Sequence, residues 1–393
     1  MFFSTLNTWR KSFFSNKSTS TIKTLNFSPL VYRLESPKYQ LFDLHNENRF
    51  SGWVFYFGEK IITSLSVAFD HKWAGNFPVN QPRPDVSIYV PSISAAQTCG
   101  FDFILPAPSA HTRCIQVDVI YTDHTRENLL NYEVGQVRLL KNKLDDYQTQ
   151  LQSIPIPNGE LVFLTQGHTQ SEEYSSNIIP ALLTMQSYLE KSGIEIQKIE
   201  TLLDFGCGSG RLLAGWHIIS PHVELFGCDL NARLIQWTQQ NLPLAIQCQP
   251  NNLIPPLPYQ NDQFDLIYLI SVFTHLSKAT QKQWIKELKR ILRPNGYILI
   301  TLHGLLYVKN AFHHQPDQIQ SFIDQGYLEN ELENVEGSNQ FCTFHHYSFV
   351  QELFSDFELI GFFPNGNDQQ QNTVFQIAQS QDVYVLQFVG RNY

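Results

Sequence analysis

The strongest constraint on this chain is the run L-L-D-F-G-C-G-S-G-R from Leu202 to Arg211, where an apolar stretch passes through alternating glycines into a helical pattern. Gly206, Gly208 and Gly210 put no side chain between backbone and ligand, and they permit dihedrals that a Cβ forbids. Asp204 stands just before them, at the carboxyl end of the strand, and in an open α/β sheet that end faces the ligand crevice. A glycine turn alone also suits a dinucleotide pyrophosphate or simply a tight turn. The next apolar run, V-E-L-F-G-C-D, ends in Asp229, and a carboxylate there can accept hydrogen bonds from both hydroxyls of a ribose.

Strand and helix patterns alternate from residue 199 onward. Strands are expected at Leu202–Phe205, Val223–Cys228, Leu244–Gln249, Phe264–Leu269, Tyr297–Leu302, Glu358–Phe363 and Val383–Val389. Helices are expected at Arg211–Ile219, Ala232–Gln240, Ala279–Leu292 and Ser348–Phe354, with Arg293-Pro294-Asn295-Gly296 as a turn. A helix over Ile178–Leu189, ended by Gly193, leads into the series. Such alternation implies a mainly parallel sheet with helices on both faces.

Three features separate this unit from a nicotinamide-dinucleotide fold. The pattern is D-x-G-x-G-x-G rather than G-x-G-x-x-G, the unit lies in mid-chain behind a helix, and two further motifs follow. These are P-P-L-P-Y with F-D-L-I-Y at residues 255–268, and L-R-P-N-G-Y at residues 292–297. Together they resemble the class I S-adenosylmethionine-dependent methyltransferases over about residues 175–393. The resemblance implies a Rossmann-like seven-stranded sheet whose last strand is antiparallel, and S-adenosyl-L-methionine as cofactor. It further implies that Asp204 and Gly206 lie by the methionine end, that Gly208 and Gly210 shape the loop, and that Asp229 binds the ribose. Leu230 would pack near the adenine, Asn251 or Asn252 would meet the adenine edge, and Ser271 would face the transferred methyl. Asn251, Asn252 and Ser271 equally suit ordinary turns.

The fold class expected for the whole chain is α/β, with a small all-β sandwich in front. The boundaries are a tail at 1–27, a β-sandwich at 28–138, a linker at 139–175 and the methyltransferase domain at 176–393. Short aromatic and β-branched runs at Ser51–Phe57, Ile61–Phe69, Asp85–Val90, Gly100–Leu105, Ile115–Thr122 and Leu130–Leu139 read as strands. Phe57-Gly58, Trp73-Ala74-Gly75-Asn76, Pro82-Arg83-Pro84 and Pro106-Ala107-Pro108 read as turns. The order G-W, R-P-D-V, G-F from Gly52 to Phe101 resembles a sandwich module fused to bacterial polysaccharide glycosyltransferases and methyltransferases. Trp53, Trp73 and Tyr89 can stack on sugars, although Trp53 and Tyr89 also suit a sandwich core. The linker holds a helical stretch, Lys141–Gln152, broken by Pro155 and Pro157.

A net charge of -9 disfavours a nucleic-acid partner and leaves a glycan or small-molecule acceptor. No apolar run approaches the ~20 residues of a membrane span, and no signal sequence is legible, so a cytoplasmic protein is expected. Met1–Leu30 reads as a tail or, around Phe2, Phe3, Trp9, Phe13 and Phe14, as an amphipathic membrane-touching segment. The six cysteines form no C-x-x-C pair and suit reduced thiols. No metal is expected, since the doublets His313-His314 and His345-His346 lack ligand spacing. The chemistry needs in-line positioning of nucleophile, methyl and sulfur. For a hydroxyl acceptor a general base helps, and His275 and His303 are the candidates; each also suits a cap or core role. Three functional readings follow: methylation of a sugar or surface-glycan intermediate, methylation of a small metabolite or protein, and a non-catalytic glycan-binding protein that keeps the fold. The intact glycine loop and Asp229 speak against the last.

Overall fold

In the computed structural model, the described residues are 30–36, 43, 46–56, 60–87, 93–109, 111–134, 145–147, 149–166, 174–175, 177–312, 315–329, 336–338, 340–366 and 381–390. The expected tail at 1–27, Tyr89, the turn at Phe57-Gly58 and the doublet His313-His314 lie outside them, as do 141–144 and 148 of the expected helical stretch Lys141–Gln152, whose described residues are helical.

The front of the chain folds into β1 (Leu30–Ser36), β2 (Asn48–Tyr56), β3 (Ile62–Phe69), β4 (Lys72–Pro78), β5 (Gly100–Leu105), β6 (Cys114–Tyr121) and β7 (Arg126–Glu133). They pair antiparallel in two sheets, of order β1-β2-β5 and β4-β3-β6-β7. The strict alternation of β6, in which Ile115, Val117, Val119 and Tyr121 are buried, turns one side chain in two inward. These residues share one hydrophobic cluster with Phe50, Val54, Phe101 and Leu105 of the other sheet.

Two expectations fail here. Asp85–Val90 is not a strand: Pro84–Ser87 is a single helical turn, and residues 88–90 are not described. Pro84 presets the first helical dihedral, and the Arg83 guanidinium clamps Asp85 through bonds of 2.8 and 2.6 Å. Nor is Trp73–Asn76 a turn, because it lies within β4. The reversal sits at Asp70 and His71, whose φ values of 48° and 64° make the left-handed pair that tight hairpins favour. The Asp70 carboxylate accepts from the backbone N–H groups of Arg113 and Cys114, bracing that turn.

The rest of the chain runs α1 (Gly159–Gln166), α2 (Ile178–Lys191), β8 (Thr201–Phe205), α3 (Arg211–Ile219), β9 (Glu224–Asp229), α4 (Ala232–Asn241), β10 (Ile246–Pro250), β11 (Phe264–Leu269), α5 (Lys278–Ile291) and β12 (Leu292–Leu302). Then come α6 (Leu305–Ala311), α7 (Pro316–Gln325), the small hairpin β13 (Tyr327–Glu329) with β14 (Thr343–His345), α8 (Tyr347–Leu353), β15 (Phe357–Phe363) and β16 (Asp382–Phe388). Seven strands form one sheet of order β10-β9-β8-β11-β12-β16-β15, and β16 is antiparallel to both its neighbours. Each strand sends alternate residues to opposite cores. Leu202, Leu266 and Tyr268 pack with α2 and α3, whereas Leu203, Ile267 and Leu269 pack with Trp284, Leu288, Phe349 and Val350 of α5 and α8.

The segment Arg293–Gly296 is drawn into β12 as a bulge, since Phe264 pairs with Leu292 and Leu266 with Tyr297. Asn295, at φ 66°, absorbs the excess length. Elements α1, α6, α7, β13 and β14 were not expected from sequence.

The contact of α2 with α3 is set by Gly215, where an added Cβ would stand 2.3 Å from Ile178 Cγ2 and 2.5 Å from Leu182 Cδ1. Alanine gains about 1 kcal/mol of helix propensity, but overpacking costs about 1–3 kcal/mol, so packing wins. Gly215→Ala is therefore expected to lower the urea midpoint at unchanged slope; a raised midpoint would show that α2 yields freely.

Candidate functional site

Strand order reverses between β8 and β11, so the loops leaving their carboxyl ends diverge and open a crevice. A cavity of about 720 Å³ lies there. Asp204, Gly206, Gly208, Asp229, Leu230, Asn251, Asn252, Ser271 and His275 all line it. Of the residues expected at the site, Gly210 and His303 do not.

The glycine loop is shaped by close approach as well as by left-handed backbone. Gly206 has φ +85°, and a Cβ on it would meet Val272 Cγ2 at 2.5 Å; Gly208 has φ +56°, and a Cβ would meet Thr165 Cγ2 at 2.6 Å. Gly210 caps α3 from the side away from the cavity, against Thr238 and Leu242. Asp229 ties this loop to the end of β9: its carboxylate accepts from the N–H of Gly208 and of Asn231, each at 2.8 Å. Burial raises its pKa, and the two N–H groups oppose that shift. Each carboxylate oxygen retains acceptor capacity for a diol.

Asp204 accepts a hydrogen bond from the Tyr268 hydroxyl at 2.8 Å, and burial pushes its pKa up to about 7. Arg211, in the same wall, favours its ionised form. Leu230, half exposed, and Leu253 flank Gly337, where a Cβ would meet them at 2.7 and 3.0 Å. The Asn251 N–H donates to the Asp229 carbonyl, and its side-chain amide donates to the Asn252 carbonyl.

Sequence reasoning missed Leu164 and Thr165 of α1, Arg211, Leu253, Val272, Trp284, Gly337 and Ser338, all in the cavity wall. Arg211 and Val272 adjoin quoted motifs and were within reach. Gly337 and Ser338 arrive from the long stretch between β12 and α8, where no periodicity marks them.

His275 follows β11 in a short helical turn. Its Nδ1 lies 2.8 Å from the Phe341 carbonyl oxygen, which only accepts, so Nδ1 carries the proton. Burial lowers its pKa from 6.5. The ring is then neutral near pH 7, with its lone pair on Nε2. His303 is buried elsewhere, with Nδ1 3.1 Å from the Thr343 carbonyl and its ring stacked 3.8 Å from that of Tyr307. Burial, and then the neighbouring His275, lower its pKa to about 4. His345 is buried beneath Gln281, and His346 caps α8.

Comparison with known proteins bears on the same stretch. Residues 203–300 match a family described as "Methyltransferase domain". This segment is therefore similar to a methyltransferase domain. The chain is 32% identical over 102 residues to a tRNA (carboxymethyluridine(34)-5-O)-methyltransferase of Arabidopsis thaliana, covering 26% of this chain and 23% of that one. It is 21% identical over 145 residues to a probable methyltransferase of Aspergillus luteorubrus, covering 34% of this chain and 51% of that one. The chain thus spans about half or less of these relatives' length. A SAM-dependent methyltransferase structure from Methanosarcina mazei superposes with a TM-score of 0.38 at 16% identity, covering 53% of this chain and 97% of that one.

The residues in the cavity of the methyltransferase domain fit the methyl donor. The glycine cradle admits backbone-close atoms, and Asp229 offers acceptors for ribose hydroxyls. Leu230 and Leu253 offer an apolar slot for the base, and Asp204 offers a carboxylate for an ammonium. Asp229→Ala is expected to weaken S-adenosylmethionine binding about 10–100-fold, the weight of charge-assisted hydrogen bonds of ~1.5–3 kcal/mol. Calorimetry on folded protein checks this, and an unchanged Kd would remove Asp229 from the ribose site.

Proposed function

We propose that the whole protein is an S-adenosylmethionine-dependent O-methyltransferase acting on a hydroxyl of a sugar or surface-glycan intermediate. The observation that carries the hydroxyl is His275, a residue of the cavity lining whose Nδ1–H is committed to Phe341, which leaves the lone pair of Nε2 as a base. The bound donor supplies an electrophilic methyl on a sulfonium. Its adenosine would be held by Asp229, Leu230 and Asn252, and its methionine end by Asp204 and the glycine loop. His275 would then take the proton of the acceptor oxygen at Nε2 as that oxygen attacks. His303, which does not line the cavity, supports the segment that carries Phe341 and Thr343 rather than acting on substrate.

The glycan part rests on the front of the chain, which we read as a module of its own at 28–138, joined by 139–175 to the methyltransferase domain at 176–393. Trp73 is 67% exposed on β4, and its indole N–H donates to the Asn76 side chain at 3.0 Å, which holds the ring in place for a sugar to stack on. Trp53 is half buried and stacked on Phe55, which suits packing instead. The Arabidopsis relative raises an RNA acceptor as a second reading. A net charge of -9 opposes it, because RNA binding draws on neutralising phosphates. No helix among the described residues is long and apolar enough to cross a membrane, and we place the reaction in the cytoplasm, where the methyl donor is made.

The test is methyl transfer from labelled donor to a glycan extract, to bulk tRNA and to a protein extract, read by product mass. Methylation of tRNA or protein alone would defeat the proposal. His275→Ala is expected to lower kcat ~10²–10⁴-fold at unchanged donor affinity. For the wild type, kcat should rise with pH through the lowered pKa of His275 and be flat by pH ~7, because the neutral ring is the active form; the variant should lack that acid limb. Trp73→Ala should raise the acceptor KM and leave kcat in place, the signature of binding shared by ground and transition states.

A further inference from the structure

Ser271 stands in the cavity wall at φ 60°, a left-handed conformation uncommon for a residue with a side chain. Val272 beside it presses on Gly206, so this turn faces the cofactor loop directly. Four hydrogen bonds hold Ser271, a fifth joins Thr301 to Gln381, and together they fix one another's direction. Its N–H donates to Thr301 Oγ1 at 2.8 Å, and the Thr301 hydroxyl donates to Gln381 Oε1 at 2.7 Å. Gln381 Nε2 donates to Ser271 Oγ at 2.8 Å. The Thr274 hydroxyl donates to the Ser271 carbonyl at 2.7 Å, so in the 3.1 Å pair of hydroxyls the proton comes from Ser271. The circuit runs one way, from the Ser271 amide to the Ser271 carbonyl. Turning the Gln381 amide over would strand the proton of Thr301, which is fully buried, and such a loss is costly.

Gln381 does not line the cavity. It reaches the rim because β16 is antiparallel: the residue before Asp382, which pairs with Leu302, lies at the edge where the parallel strands end. The Ser271 hydroxyl has one proton and two lone pairs. With the proton sent to Thr274 and one lone pair filled by Gln381, the single lone pair left is an acceptor.

We propose that Gln381 is a positioning residue that fixes Ser271 as a hydrogen-bond acceptor toward the cavity, so that Ser271 and His275 together select a nucleophile carrying its own proton, a hydroxyl or an amine. The proposal rests on the methyltransferase reading of the cavity and goes beyond it in naming what sets the polarity of its wall.

The test compares two donor analogues in the full chain by calorimetry. S-adenosylhomocysteine has no group at the methyl position, and sinefungin carries an amine there. The wild type should bind sinefungin about tenfold more tightly, the factor one hydrogen bond to a charged group supplies. Gln381→Met and Thr301→Val should bring that ratio near one while S-adenosylhomocysteine affinity stays within about twofold. Thr301→Ser, which keeps the hydroxyl, should retain the preference. Adding Gln381→Met to Ser271→Ala should cost nothing more than Ser271→Ala alone. The inference is overturned if Gln381→Met and Thr301→Val keep the preference, or if they weaken both ligands equally. Should Gln381→Met not fold, the Thr301→Val and Thr301→Ser pair decides alone. A wild type that binds neither analogue defeats the methyltransferase reading and this inference with it; binding without any change in ratio defeats only the inference.

Discussion

The cavity depends on the bond between the Asp229 carboxylate and the N–H of Gly208. It ties the loop after β8 to the end of β9, so one wall of the crevice is held as a unit. The second oxygen holds Asn231 at the cap of α4, and the Asn231 side chain in turn accepts from the Arg233 N–H. One buried carboxylate thereby sets the loop and the next helix together. The cost is desolvation, visible in the raised pKa, and the two N–H donors partly offset it. Thr165 from one side and Val272 from the other leave no space for a Cβ on Gly208 or Gly206.

The wall near His275 is built differently. There the stretch between β12 and α8 returns across the ends of β11 and β12. Alternate carbonyls of its short extended segment, Phe341 and Thr343, accept from His275 and His303. The same strand seats its own buried His345 against Gln281, whose amide also donates to the Phe273 and Leu276 carbonyls. Burial keeps all three imidazoles neutral near pH 7, pushing His345 to about 3 and His303 to about 4. Neutral rings with known tautomers offer lone pairs rather than charge.

Legibility in the sequence followed local physics. Arg211–Ile219 and Phe264–Leu269 were placed to the residue, because a glycine cap marks the start of the first and the β-rich run F-D-L-I-Y-L marks the second. Asp85–Val90 misled because its alternation was short and a proline with an Arg–Asp clamp outweighed it. Trp73–Asn76 misled because Gly75 and Asn76 look like a turn, whereas the chain reverses at Asp70 and His71, where paired left-handed residues meet the hairpin twist. Arg293–Gly296 has turn composition, yet the register of β11 draws it into the sheet as a bulge. Helices α6 and α7 and the hairpin that follows them bury Val308, Phe322 and Phe344 in a small cluster of their own, so little in their apolar pattern distinguishes them from loop.

By itself the sequence determined the strand–loop–helix unit around Asp204, its glycines, and the carboxylate that ends the next strand. These are properties of adjacent residues, where a missing Cβ or an alternating apolar face acts over a few positions. Only the tertiary structure decided which histidine reaches the cavity, since both follow neighbouring strands, His275 through a helical turn and His303 directly, and they differ in what packs over them. The same holds for Gln381 behind the wall. Its partners lie 80 and 110 residues away, and an antiparallel last strand is what brings the residue before it to their edge. Contacts of that span depend on sheet order and strand direction, and neither is written in the residues that make them.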